Sequence, residues 1–103
     1  MTVNPINTYS KNAKIRISGS FTDPNNSDAA IDPTNVTISY RIPGASALTS
    51  KVYPTDAEVV RESQGNYHLD LTGSTSGKYT YTVEGTGNAV GAGQGEFIVL
   101  EGI

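Results

Sequence analysis

The chemistry available to this chain starts with its single histidine, His68, and the carboxylate two residues further on, Asp70. On an extended strand, residues two apart share a face with their backbones about 7 Å apart, so imidazole and carboxylate lie within reach of each other. A hydrolytic site needs a nucleophile as third member. Ser63 and Ser76 offer hydroxyls in the same half of the chain, but no spacing ties either one to His68. The pair reads as a solvated couple on an exposed sheet face, opposite Tyr67 and Leu69. No catalytic site is expected, and the chain reads as a non-enzyme.

Two further segments invite a ligand. Residues Phe21 to Asp32 hold Asp23, Asn25, Asn26, Asp28 and Asp32, oxygen ligands of the kind that bind calcium from a flexible loop. The segment lacks the glycine and distal glutamate of an EF-hand, and Asp, Asn and Pro also serve long loops through local side-chain to backbone bonds and fixed φ. The structural role is the expectation here, with no metal assigned and calcium left open. Asn88 to Gly95 is rich in glycine, but phosphate-binding glycine loops open a helix, and this one runs from strand to strand. A flexible hairpin loop is expected, and no cofactor. The sequons Asn25-Asn26-Ser27 and Asn35-Val36-Thr37 matter only on a secretory route.

Composition removes other classes. The chain has 103 residues and no cysteine, which excludes disulfide scaffolds, thiolate metal sites and cysteine nucleophiles. Its seven Lys and Arg residues are scattered singly and the net charge is −3, so no basic stripe exists to neutralise phosphates and no nucleic-acid partner is expected. No apolar run approaches the roughly 20 residues of a membrane span, and Met1 to Ser10 lacks the basic and apolar regions of a signal peptide. A soluble, cytosol-made protein without membrane partners is the expectation.

The elements that must position these residues repeat with a period of two, the signature of strands with one face on a core. Ile15, Ile17 and Phe21 alternate with Lys14, Arg16 and Ser18; Val36, Ile38, Tyr40 and Ile42 with Thr37, Ser39 and Arg41; Tyr67, Leu69 and Leu71 with His68 and Asp70; Tyr79, Tyr81 and Val83 with Thr80 and Thr82. Val52-Tyr53 and Val59-Val60, separated by Pro54, read as short edge strands. Thr55 to Glu62 carries a helix-start pattern, yet its β-branched Val59 and Val60 and the following Gly65 favour extended chain. Thr72 to Gly77 reads as the turn of a hairpin pairing its two flanking strands. A last strand, Glu96 to Glu101, is apolar on both faces, Phe97 and Val99 on one and Ile98 and Leu100 on the other.

Runs of this spacing, separated by Gly, Pro, Asn and Asp, predict an all-β fold, an immunoglobulin-like antiparallel β-sandwich of about seven strands. Residues 13–103 form one domain, and residues 1–12 an extended N-terminal arm that lies across the body or reaches a partner. Tyr67, Tyr79 and Tyr81 are assigned to the core, one of them with a tyrosine-corner hydrogen bond of about 1 kcal/mol. Gly65 and Gly77 precede strands at turns that demand positive φ, and Gly85 with Gly87 lets the chain leave a strand sharply.

The order Asp32-Pro33-Thr34-Asn35-Val36-Thr37, Gly65-Asn66-Tyr67, Gly77-Lys78-Tyr79-Thr80-Tyr81 and Gly85-Thr86-Gly87 resembles small immunoglobulin-like proteins of tailed bacteriophages and prophages, over roughly Ile15 to Val99. This chain departs from typical members in carrying Tyr79 and Tyr81, with no tryptophan, after Gly77. The resemblance implies a structural virion protein, a capsid decoration or a neck or tail component, made in the host cytoplasm and located in the virion. Its implied partners are other virion proteins of capsid, neck or tail, with homo-oligomer formation on the particle compatible with that role. Candidate interface residues are Val3, Ile6 and Tyr9 of the arm and Ile98 and Leu100 of the last strand. The alternative is a host-surface or carbohydrate-binding adhesin module, for which Tyr9 and Tyr53 are the candidate exposed aromatics.

Overall fold

Alternating apolar residues need a second apolar face to bury against, and two sheets supply it. In the computed structural model, the described residues are 7–27, 29–87 and 89–101. Strands β1 (Asn7–Ser10), β10 (Gly91–Leu100), β9 (Gly77–Thr86), β5 (Asn35–Arg41) and β6 (Thr49–Tyr53) form one sheet in that order. Strands β2 (Lys14–Ser20), β8 (Asn66–Thr72) and β7 (Val59–Ser63) form the other. A short pair, β3 (Thr22–Asp23) and β4 (Ala29–Ala30), flanks a 3-10 turn at Pro24–Asn26. The expected all-β sandwich is the fold, and its seven strands of five residues or more are β2 and β5 to β10.

The core lies between the sheets. Ile15, Ile17, Val59, Tyr67 and Leu69 from the smaller sheet and Val36, Ile38, Tyr79, Val83, Phe97 and Val99 from the larger are all buried. Tyr79 stacks on Phe97 at 4.7 Å between centroids, and Tyr53 and Phe21 meet Tyr67 edge to face. Tyr81 is only partly buried, with its ring over Gly95, where a Cβ would sit 2.4 Å from the Tyr81 hydroxyl. Val52-Tyr53 and Val59-Val60 do lie in edge strands, β6 and β7.

Three expectations change. β8 and β9 are not a hairpin: β8 pairs with β2 and β7, β9 with β10 and β5, so the chain crosses between sheets after Thr72. Period-two alternation says which side chains face inward but not which sheet a strand joins, so it could not separate the two cases. The glycine-rich segment is mostly strand, because Gly91 to Gly95 pair with Gly85 to Tyr81 in register. Gly95 makes room for the Tyr81 ring, a packing role that low β-propensity conceals. Finally, β1 joins β10 in parallel, Asn7 opposite Phe97 through Ser10 opposite Leu100, so the sandwich is not wholly antiparallel.

Candidate docking surface

Most of the described charged side chains are matched to each other or to the backbone. His68 faces outward from the central strand β8 yet is only 8% exposed, so the expected solvated His68–Asp70 couple is corrected. Its Nδ1 lies against Glu62 Oε1 of the edge strand β7. A residue in the middle of a three-stranded sheet is covered by long side chains from both neighbours, which residue type alone does not reveal. Asp70 takes a two-pronged ion pair from Arg16 of β2, Nε to Oδ1 at 2.8 Å and Nη2 to Oδ2 at 3.0 Å, and this holds its carboxyl below the usual range. Ser63 Oγ accepts a hydrogen bond from Asn66.

The acidic loop works through local bonds. Asp23 Oδ1 accepts the Asn25 amide at 2.9 Å and so starts the 3-10 turn. Asp32 reaches across the sandwich: Oδ1 accepts the Gly65 amide at 2.8 Å, the Tyr67 hydroxyl at 3.0 Å and Arg61 Nε at 3.2 Å, while Oδ2 accepts Arg61 Nη2 at 2.9 Å. The Arg61 guanidinium first, then the Gly65 amide, pull its carboxyl from the ordinary 3.8 down to about 2. Donors on both oxygens, the Arg61 guanidinium among them, leave little of Asp32 for a cation, and among the described residues no group of three or more acidic, His or Cys side chains is placed to hold a metal. Asp28 lies outside the described residues.

The tyrosine corner exists at Tyr79, whose hydroxyl donates to the Thr75 carbonyl at 2.9 Å as β9 begins. Gly65 (φ +78°) and Gly77 (φ +127°) hold the positive backbone angles their turns require. Gly85 serves packing instead: a Cβ there would come within 2.6 Å of Phe21 Cε1.

Beside these paired charges lies an exposed apolar strip. Leu100 is 52% exposed on the outer face of β10, and Ile98, half-buried, stands two residues before it. Thr8 and Ser10 of β1 face them in register. The strip is flanked by two ion pairs, Lys78–Glu96 at 2.9 Å and Lys11–Glu101 at 3.2 Å. Of the other candidate interface residues, Tyr9 turns inward and meets Phe97 edge to face at 5.7 Å, and Val3 and Ile6 lie outside the described residues. Tyr53, packed edge to face on Tyr67, is no exposed platform either. Two exposed apolar residues escape strand-based reasoning: Leu48, 54% exposed, and Val90, 85% exposed. Their signal was a single large apolar side chain within Gly, Ala and Ser.

Leu48 leans over a shallow groove of about 450 Å³ on the outer face of the larger sheet, floored by Ser39, Thr80, Thr82, Gln94 and Glu96. Val90 stands at the mouth of a cleft of about 360 Å³ between β2 and the glycine half of β10. Comparison with family models, with curated proteins and with solved structures found no match.

Proposed function

We propose that this chain is a non-catalytic, immunoglobulin-like assembly module that binds other structural proteins of a bacteriophage particle. The observation that carries the proposal is that the segments resembling phage immunoglobulin-like proteins meet in space as one framework. Asp32 of the first binds the Gly65 amide and the Tyr67 hydroxyl of the second. Thr34 donates its amide to the Thr86 carbonyl of the last, and Tyr79 of the third closes the corner at Thr75.

The strand order supports the finer, immunoglobulin-like part of the reading. Placing β2, β8 and β7 as strands B, E and D leaves β5, β9 and β10 as C, F and G, with β6 beside C, which is the immunoglobulin arrangement. The Tyr79 bond falls at the E to F corner, where that fold carries one. The non-catalytic part rests on the burial of His68 against Glu62 and on the engagement of Asp70 by Arg16. The docking part rests on the Ile98 and Leu100 strip, an apolar centre with a charged rim, as in protein interfaces.

The test is binding of the purified chain to virus particles that lack it, with bound copies counted by gel densitometry. Saturable binding supports the assembly role. Retention on host cells or glycans, with none on particles, overturns it in favour of an adhesin.

A further inference from the structure

Among the described residues, every lysine, arginine, aspartate and glutamate side chain except two has an ion-pair or hydrogen-bond partner. The two are Arg41 and Glu84, both exposed and of opposite sign. They also share a face. Val36 and Ile38 of β5 and Tyr79 and Val83 of β9 are buried in the core. Alternation therefore sends Ser39 and Arg41 of β5, and Thr82 and Glu84 of β9, to the outer side of the larger sheet.

The register fixes the spacing of the two charges. Arg41 stands opposite Thr80, and Glu84 opposite Thr37. Four residues along the strand and one strand across put their backbones about 14 Å apart. Ser39 and Thr82, opposite each other in register, lie midway between them. A two-fold axis in the plane of this face, running between Ser39 and Thr82 and perpendicular to the line from Arg41 to Glu84, exchanges the two ends. Arg41 of each copy then comes to Glu84 of the other. One surface supplies both halves of both contacts, the condition an isologous interface must meet. Any other partner would have to carry the same opposite charges at the same separation. The side chains of Ser39 and Thr82 are short, so two such faces can close to the roughly 10 Å of face-to-face sheet packing.

The face has an apolar element as well. Leu48, 54% exposed, leans over the groove on this side and lies at the Arg41 end, because the next residue, Thr49, pairs with Tyr40. The same rotation brings it down on the Glu84 end of the second copy, covering apolar surface that a single chain leaves in water.

We propose that the outer face of the larger sheet is a docking surface for a second copy of this chain, packed about a two-fold axis between Ser39 and Thr82 so that Arg41 of each copy pairs with Glu84 of the other. This contact does not depend on any phage role.

The test is sedimentation equilibrium of the full chain from micromolar to millimolar concentration. A monomer to dimer equilibrium that weakens with added salt is expected. A monomer throughout, or open-ended assembly beyond the dimer, would overturn the proposal. Arg41→Glu and Glu84→Arg, each folded by circular dichroism, are each expected to self-associate at least about tenfold more weakly, because both contacts become like-charge pairs. Dimers of parental strength in either variant would overturn it. The deciding sample is the equimolar mixture of the two. There one copy presents two carboxylates and the other two guanidiniums, so both contacts are again between opposite charges and a mixed dimer as strong as the parent's is expected. A mixture as weak as its components would overturn the pairing. The double exchange R41E/E84R, with both charges swapped in one chain, is likewise expected to dimerise as the parent does, and its failure to do so while folded would count against the proposal in the same way.

Discussion

Asp32 binds Arg61, Gly65 and Tyr67, which lie 29 to 35 residues further along the chain. Its carboxyl is pulled from 3.8 to about 2, so its contribution to stability is present above the ordinary carboxylate range and is lost as pH falls through about 2. Asp32→Asn keeps an oxygen for the Gly65 amide but no charge for Arg61. The variant is expected to melt below the parent at neutral pH, with the gap closing as pH steps down from 3.8 toward 2. Asp70, Glu58 and Glu101 are also lowered, so both proteins keep an acid slope and the difference between their melting curves is the diagnostic. Tyr79 gives a simpler case. Tyr79→Phe keeps the ring on Phe97 and deletes the bond to Thr75, so urea unfolding is expected to report a loss of about 1 kcal/mol with an unchanged denaturant slope. An unchanged midpoint would remove the corner from the account of stability.

At the scale of the strand, most of what was legible came from alternation, and most of what was not came from pairing. The inward faces of β2, β5, β8 and β9 follow directly from Ile15 and Ile17, Val36 and Ile38, Tyr67 and Leu69, Tyr79 and Val83. Partner choice is a long-range property, which is why Thr72 to Gly77 passed for a hairpin turn. The same blindness applies to β10, where Gly91, Gly93 and Gly95 imitate a loop although all three pair with β9, and only at Gly95 does a neighbour, the Tyr81 ring, require the missing side chain. The candidate site was legible only at Ile98 and Leu100, where a strand apolar on both faces must leave one face outside. Tyr9 needed the parallel pairing of β1 to β10 to reveal that it faces Phe97. Tyr9→Ala removes that edge-to-face contact from a partly buried ring. Its expected cost is below the roughly 3 to 5 kcal/mol of a fully buried aromatic truncation, and faster hydrogen exchange should be confined to β1 and Phe97–Leu100. Exchange that quickens uniformly across β2 and β8 would instead show that β1 and the core unfold together.

For the whole molecule, the distribution of polar partners separates stability from docking. Glu62 and Asp70 are engaged by Arg16 and Asp32 by Arg61, so substitutions there disturb the fold before they disturb any partner. Leu100 is different: it is half exposed, follows the buried Val99, and contributes an apolar side chain to the outer strip with Ile98. Leu100→Asp puts a carboxylate into that strip beside the Lys11–Glu101 pair. As a surface change it is expected to alter folding stability by no more than about 0.5 kcal/mol. In the proposed docked complex the same carboxylate would be buried without a partner, a penalty of several kcal/mol that corresponds to at least a hundredfold loss of the affinity for particles that the proposal requires. Val90→Asp, at the mouth of the cleft and away from the strip, serves as the matched control and is expected to bind as the parent does. Equal binding by Leu100→Asp and the parent would move the docking surface off β10. Loss of binding by both variants would mean that net charge, and not the strip, governs association.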